Sequence, residues 1–256
     1  EIRLVAAKPP SALRLAARAA VLLAIFLPAL LLAPLAALLT PFRRRFYYPL
    51  LTDALARAGT AFIKWGQWSS TRPDIFPTSL CAALSRLHSQ APTHSFAHTR
   101  ALVEAAYRAP LNATFDDFER EPLASGSIAQ VHRATLRGQP VAVKVRHPSV
   151  IERIVSDFTL MRAVAAVAAR LPLLRGLNLK TTVSQFSETM VAQTRLDIEA
   201  EHLRRFCWNF GRWRDVRFPT VLYGSEAVLV ETFEPGELMS RYTLERELGV
   251  SAEPPP

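Results

Sequence analysis

Cysteine and glycine are both scarce. Only Cys81 and Cys207 occur among 256 residues, with 9 glycines. The two cysteines lie far apart and form no Cys-x-x-Cys pair, which excludes a disulfide scaffold and a cysteine-built zinc site and suits a thiol-reducing compartment. No Gly-x-x-x-x-Gly-Lys-Ser/Thr or Gly-x-Gly-x-x-Gly run exists, which weighs against P-loop and Rossmann sites. Ser-His-Asp catalysis has no Gly-x-Ser-x-Gly elbow to rest on. The 19 prolines are dispersed except for Pro9-Pro10 and Pro254-Pro255-Pro256, so collagen and repeat arrays are excluded. Acidic residues are few at the amino end: residues 1–60 hold eight Lys/Arg against two acids, out of a formal charge of +9 for the whole chain. This excess flanks a hydrophobic stretch and is not interleaved with aromatics, so a nucleic-acid partner is not expected.

Apolar residues are plentiful. At 50% hydrophobic, with 14 Phe, 4 Trp and 5 Tyr, the chain is long enough and apolar enough for one large domain or two small ones. Ala19 to Leu39 runs without a polar side chain, matching the roughly 30 Å hydrocarbon core at about 1.5 Å per helical residue. Pro28 and Pro34 interrupt it. Three readings stay open: a span or firm membrane association, a core helix or hairpin dipping into one leaflet, and a signal peptide. The preceding Arg3, Lys8, Arg14 and Arg18 are compatible with an organellar transit peptide, and a chain that begins with Glu is expected to lack its true start. Positive residues on both sides leave the orientation open.

The pattern then changes along the chain. Residues 43–90 read as helical, with a break at Pro73 and Pro77 and a stripe resuming at Leu80, Leu84 and Leu87; a further helix is predicted over 96–108. Ile128 to His132 and Val141 to Val145 read as strands, with Gly138-Gln139-Pro140 as the hairpin turn. Helices follow at about 149–170 and 180–209, split by Pro172 and Gly176, and Ala227 to Glu231 reads as another strand. This is an α+β pattern.

Four pieces carry chemistry together. Ala124-Ser125-Gly126-Ser127 is a loop of small residues that lets backbone N–H groups approach phosphate oxygens. Lys144, alternating with valines on the next strand, is placed as kinase folds place the ammonium that meets nucleotide phosphates. Asp197-Ile198-Glu199-Ala200-Glu201 offers carboxylates to hold that lysine. Glu231 to Phe233 runs into Glu234-Pro235-Gly236, where a hinge would meet an adenine edge. The first three pieces each have a plainer reading: an ordinary turn, a solvated strand lysine, a solvated helix face. His94 and His98 stand at i, i+4 without a third ligand, so a metal site is not expected. Trp65 and Trp68 read as packing residues.

On these residues the sequence resembles the UbiB-type, or aarF-domain-containing, atypical kinases, from about Leu50 to Phe233. Lys64-Trp65-Gly66-Gln67, followed by Ser70-Thr71-Arg72-Pro73-Asp74, resembles the Lys-x-Gly-Gln signature of that family's helical extension. Leu84 to His88 with Ala91-Pro92 is similar to its next block, residues 124–127 to its alanine-rich loop, and Ser127 to His132 to a family hallmark. Asp197 to Tyr242 looks most like the mitochondrial aarF-domain kinase 2 branch. The resemblance implies a protein-kinase-like fold binding ATP or ADP with Mg. Lys144 would hold the phosphates, Glu201 would orient it, residues 124–127 would cover them, and Glu231 and Phe233 would line the adenine. Lys64 and Gln67 would gate the site. It also implies a place in coenzyme Q or isoprenoid-lipid metabolism on a mitochondrial membrane, with membrane lipid and isoprenoid-lipid biosynthesis proteins as partners.

The expected division is a basic segment 1–18 with a targeting role, an anchor helix 19–40, a helical extension 43–110, a small lobe 111–236 and a truncated segment 237–256. Departures from the family pattern are Arg195, where an acid is frequent, and Gly126, where alanine is frequent and whose glycine is expected to loosen the loop and shift nucleotide preference. No His-x-Asp loop with a downstream Asn and no Asp-Phe-Gly ligand occurs; Asp116-Asp117-Phe118 is expected to lie ahead of the small lobe and its sheet, where it cannot serve. Magnesium ligands are expected in a large lobe absent from this chain, which alone is expected to be inactive. The rival expectation is a membrane-tethered kinase-like scaffold without catalysis.

Overall fold

The structure is a computed structural model that describes residues 10–88, 93–170 and 178–236. Ala91-Pro92, Pro172, Gly176 and the segment 237–256 lie outside the described residues.

Helix α1 (Ala12–Leu38) starts at Ser11, whose hydroxyl accepts from the Arg14 amide at 3.4 Å, and carries Pro28 and Pro34 in its interior. It is long and apolar enough to cross a membrane. Short α2 (Thr40–Phe42) and a π-helical turn (Arg43–Tyr47) lead into α3 (Tyr48–Ala58). Gly59, at φ 101°, ends α3 and opens α4 (Thr60–Ser70). Beyond the Pro73–Pro77 break come α5 (Thr78–Leu84) and a 3₁₀ turn (Ser85–His88). The predicted stripe packs here: Leu84 and Leu87 are buried against Leu55, with Leu80 half-buried beside them.

Helices α6 (Phe96–Tyr107) and α7 (Leu111–Thr114) precede an antiparallel sheet. Its strands are β1 (Asp117–Phe118), β2 (Ala124–Ser125), β3 (Ala129–Leu136), β4 (Gln139–Arg146), β5 (Val221–Gly224) and β6 (Val228–Thr232), in the order β1-β3-β4-β6-β5 with β2 also on β3. Between β4 and β5 run α8 (Val150–Ala168), α9 (Leu179–Gln193) and α10 (Leu196–Phe210). The α+β architecture read from the pattern is the one observed.

Three local readings are corrected. The hairpin turn is Arg137-Gly138, both at positive φ (52° and 76°), as the two-residue turn of a twisted hairpin requires; Gln139 and Pro140 already pair with Leu136 and Thr135. Asp117-Phe118 is not ahead of the sheet but forms its edge strand, opposite Thr135 and Ala134. The helix predicted over 180–209 is two helices, broken at Thr194-Arg195. No proline or glycine stands at that break. Instead, the Thr194 carbonyl accepts from the Arg146 guanidinium at 3.2 Å, and the Leu196 amide donates to the Glu226 carbonyl at 3.2 Å. These tertiary bonds replace the helical ones.

The two faces of β4 divide the work. Val141, Val143 and Val145 are fully buried with Val228, Val230, Val103 and Leu111. Ala142, Lys144 and Arg146 point to the opposite face, because side chains alternate along a strand. There Leu229, opposite Lys144 in register, packs against Leu196 and Ala200 of α10. Burial of those three apolar side chains seats α10 over the lysine.

Candidate functional site

A cleft of about 490 Å³ opens on this second face. Lys144 rises from β4 and Glu199 reaches down from α10, and Lys144 Nζ donates to Glu199 Oε1 at 2.5 Å. Their side chains keep 27% and 43% of their exposure, so the pair sits at a wall of the cleft and is not sealed in the core. Glu201, expected to hold the lysine, is exposed and lies 3.8 Å from Arg204. The reason is helical geometry. Leu196 and Ala200 fix which side of α10 meets the sheet, and residues two apart point about 200° apart around a helix, so Glu199 leans toward the strand and Glu201 away from it. The signal was present in the sequence: the apolar spacing of Leu196 and Ala200 leaves Glu199, not Glu201, on the flank of the buried side.

The turn at Thr194-Arg195 holds this carboxylate in position. Arg146 Nη1 bridges the Thr194 and Glu226 carbonyls at 3.2 and 2.8 Å. The Arg195 guanidinium pairs with Asp197 and lies 3.7 Å from Glu226. Asp197 is held below the usual carboxylate range by that hydrogen bond. Arg195 thus joins α10 to the β5–β6 turn, a role that the sequence reading did not assign.

The small-residue loop divides in two. Ala124 and Ser125 form β2, pairing with Val131 and Gln130 and standing outside the cleft lining, whereas Gly126 and Ser127 line it. Gly126 is held at both ends: its amide donates to the Ala129 carbonyl at 2.9 Å, and its carbonyl meets His147 Nε2 at 2.8 Å. Thr60 of α4 donates to the Ser127 carbonyl at 3.0 Å. The glycine therefore does not leave the loop slack.

Behind the loop, five side chains (His147, His94, Thr99, Gln130 and His132) form a hydrogen-bonded chain whose partners define the tautomers. His147 donates from Nε2 to Gly126, so its Nδ1 accepts from His94 Nδ1 at 2.6 Å. His94 Nε2 then accepts from the Thr99 hydroxyl at 3.0 Å. His132 donates from Nδ1 to the Glu119 carbonyl, and its Nε2 accepts from Gln130 at 2.9 Å. Burial pushes the pKa of His94 down to about 4, helped by His147, and burial lowers His132 and His147 as well. His94 lies ahead of α6, so its i, i+4 spacing from His98 is not a helical one; the two rings still meet edge to face at 4.8 Å between centres, and His98 Nε2 lies 3.2 Å from the Arg146 carbonyl.

Lys64 of α4 lines the cleft together with Lys144. Burial depresses its pKa and the neighbouring Lys144 adds to this, against the opposing pull of Glu199. It also lines a second hollow of about 460 Å³ between α4 and α9, where Gln67, Trp65 and Trp68 stand. Gln67 donates from Nε2 to the Leu87 carbonyl at 2.9 Å. Trp65 and Trp68 pack on Phe186 of α9 at ring-centre distances of 5.1 and 6.2 Å.

Glu231 and Phe233 stand apart from the cleft lining. Glu231, beside Ala142 in register, has its pKa raised by burial, with Lys144 acting against this and Glu199 with it. The Phe233 ring lies under Arg133 at 4.8 Å, and its amide donates to the Pro140 carbonyl at 3.1 Å. Its side chain is therefore engaged at the hairpin end of the sheet. Among the described residues, no group of three or more His, Cys, Asp or Glu could hold a metal ion.

A strand lysine tied to a helix carboxylate beneath a small-residue loop is a kinase-like arrangement, and comparison with known proteins agrees. Residues 86–253 match the ABC1 atypical kinase-like domain. The chain belongs to the ABC1 family. A probable serine/threonine-protein kinase, abkC, of Dictyostelium discoideum is 40% identical over 216 residues, covering 83% of this chain and 31% of that protein. The ABC1 family protein YPL109C, mitochondrial, of Saccharomyces cerevisiae is 35% identical over 77% of this chain and 34% of its own length. The ABC1 family protein C21C3.03, mitochondrial, of Schizosaccharomyces pombe is 32% identical over 75% and 32%. The chain spans about a third of the length of these relatives. A solved structure of Rv3197 from Mycobacterium tuberculosis, in complex with erythromycin, shares the fold at a TM-score of 0.51 and 23% identity, over 73% of this chain and 48% of that one. An ABC1 kinase-like domain implies nucleotide binding.

Proposed function

We propose that this chain supplies the membrane anchor, helical extension and nucleotide-binding small lobe of an atypical kinase or ATPase of the UbiB type, in the aarF-domain kinase 2 branch. The observation that carries the reading is the Lys144–Glu199 ion pair at the wall of a cleft roofed by Gly126 and Ser127. ATP or ADP would place its phosphates against Lys144, whose flexible stem is aimed by Glu199. Backbone N–H groups of the loop would donate to phosphate oxygens. Lys64, already inside the cleft, would gate it with Gln67, and the backbone of Glu231 to Phe233 would meet the adenine. Magnesium would neutralise developing charge on the phosphates when bound, and among the described residues no group of three or more His, Cys, Asp or Glu could hold it.

The mitochondrial relatives and the apolar α1 support action on a mitochondrial membrane, within coenzyme Q or isoprenoid-lipid metabolism, alongside proteins of that synthesis. The test uses the full-length protein. Crosslinking to an azido-ATP analogue should fall at least about tenfold in Lys144→Ala. Equal labelling of parent and variant would defeat the role assigned to Lys144, and no labelling of either would favour a scaffold that holds no nucleotide.

A further inference from the structure

Building on the membrane reading above, we infer that α1 lies in the plane of one leaflet, its leucine face in the acyl layer, and does not cross the bilayer. The first reason is how α1 is docked. Arg18 reaches Asp157 of α8 at 2.6 and 3.0 Å and the Ala58 carbonyl, the last residue of α3, at 2.5 Å. Phe26 lies 5.4 Å from Phe62 between ring centres, and Ala29 and Ala36 are buried to 3% and 2% exposure. These contacts run from near the start of the helix to its end, about 27 Å at about 1.5 Å per residue. Because α3 begins shortly after α1 ends and its last residue meets Arg18, α3 folds back along α1. A spanning α1 would carry Asp53 and Arg57 of α3, an exposed pair 2.9 Å apart, into hydrocarbon beside it. Charged side chains there are strongly disfavoured.

The second reason is the size pattern around the helix. A helix in water buries its large apolar side chains and exposes its alanines. Here Ala29 and Ala36 face the protein, while Leu23, Leu27, Leu30, Leu31, Leu35 and Leu38 face outward, Leu31 at 70% and Leu38 at 81% exposure. Leu22, Ile25 and Phe26 are half-buried beside these alanines, so what sets α1 apart is the outer row of exposed leucines, a surface that lipid favours and water does not.

The third is charge. Arg14 precedes the leucine face, and Arg44 and Arg45 follow it on the exposed surface beside Phe46. No acid occurs between Glu1 and Asp53. Basic ends with an apolar face fit an anionic leaflet, arginines at headgroup level and leucines just below. The occupant is therefore an anionic lipid surface. The docking through Arg18 then holds the nucleotide cleft at a set attitude to that surface.

The test places single nitroxide labels at Leu23, Leu31 and Leu38 of the full-length protein, with Cys81→Ala and Cys207→Ser, on phosphatidylcholine vesicles containing phosphatidylglycerol. Three equal, shallow depths are expected, and a disulfide staple made by Arg18→Cys with Asp157→Cys should leave vesicle binding intact. Leu31→Gln with Leu35→Gln, both at the surface, should weaken partitioning by roughly tenfold or more. A deep Leu31 between two shallow ends, or binding abolished by the staple, would overturn the in-plane arrangement and leave the anchor reading standing. Labels that stay in water without vesicle binding, or that broaden through contact between copies of the chain, would overturn both.

Discussion

Lys144 and Glu199 stand 55 positions apart in the chain and 2.5 Å apart at the cleft, whereas Glu201, two residues further on, points into solvent. The pair exists because Leu196 and Ala200 pack on Leu229 and present one flank of α10 to the sheet. In the full-length protein, Glu199→Gln should weaken nucleotide binding by about tenfold, since the amide holds the ammonium less firmly than a carboxylate does. Glu201→Gln should leave it unchanged within about twofold. Titration with a fluorescent ADP analogue separates the two, and a larger effect at Glu201 would reverse the assignment.

Gly126→Ala is expected to be nearly neutral for folding, within about 0.5 kcal/mol. Gly126 is not at positive φ, and an added Cβ would meet only the Ala129 carbonyl, at an ordinary 3.5 Å. With stability unchanged, a change in ATP against ADP preference measured by calorimetry would come from the loop itself. Identical affinities would refute the view that glycine tunes nucleotide choice.

Gly66→Ala should behave differently. A Cβ there would stand 2.2 Å from Leu87 Cδ1 and 3.5 Å from Leu55 Cδ1, inside a cluster where both leucines are buried. Overpacking of this kind costs about 1–3 kcal/mol. The melting temperature should fall by several degrees, and truncating the obstacle in the same chain with Leu87→Ala should remove the clash, making the double variant less damaged than the sum of the singles. Simple additivity would contradict the contact.

Acid should destabilise the protein through the histidine chain. His94 titrates near 4 in the folded state and near its ordinary 6.5 when unfolded. Between those values the unfolded chain takes up a proton that the folded chain refuses, so this stability is complete above about 6.5 and is lost as pH falls toward about 4. His132 and His147 act in the same direction. Asp157, with its pKa raised by burial, opposes them in acid. His94→Asn, whose amide replaces the Nδ1–H donor without titrating, should reduce the loss between about pH 7 and about pH 5 by roughly 1 kcal/mol after allowance for solvent exposure. Thermal melts across that range test it; an unchanged slope would exclude His94 as the titrating group.

Short-range pattern alone was enough to reveal the α1 helix, the valine-lysine strand and the helical, acid-rich stretch from Asp197 to Glu201, because each follows from side-chain period and backbone preference within a few residues. The leucine stripe in 80–87 and the hairpin were readable for the same reason, with the turn misplaced by about two residues since Arg137 carries no breaker signature. Other features arise only when distant groups meet. The break at Thr194-Arg195 comes from Arg146 and Glu226 taking over backbone groups that a helix would otherwise pair. The spacing of Leu196 and Ala200 marks the flank of α10 that carries Glu199 and not Glu201, but that this flank meets Lys144 comes only from the packing on Leu229. The attitude of α1 comes from Arg18 meeting Asp157 at a separation of 139 positions. Such contacts gain their energy from burial and charge pairing between elements, and local sequence carries no record of which elements will touch.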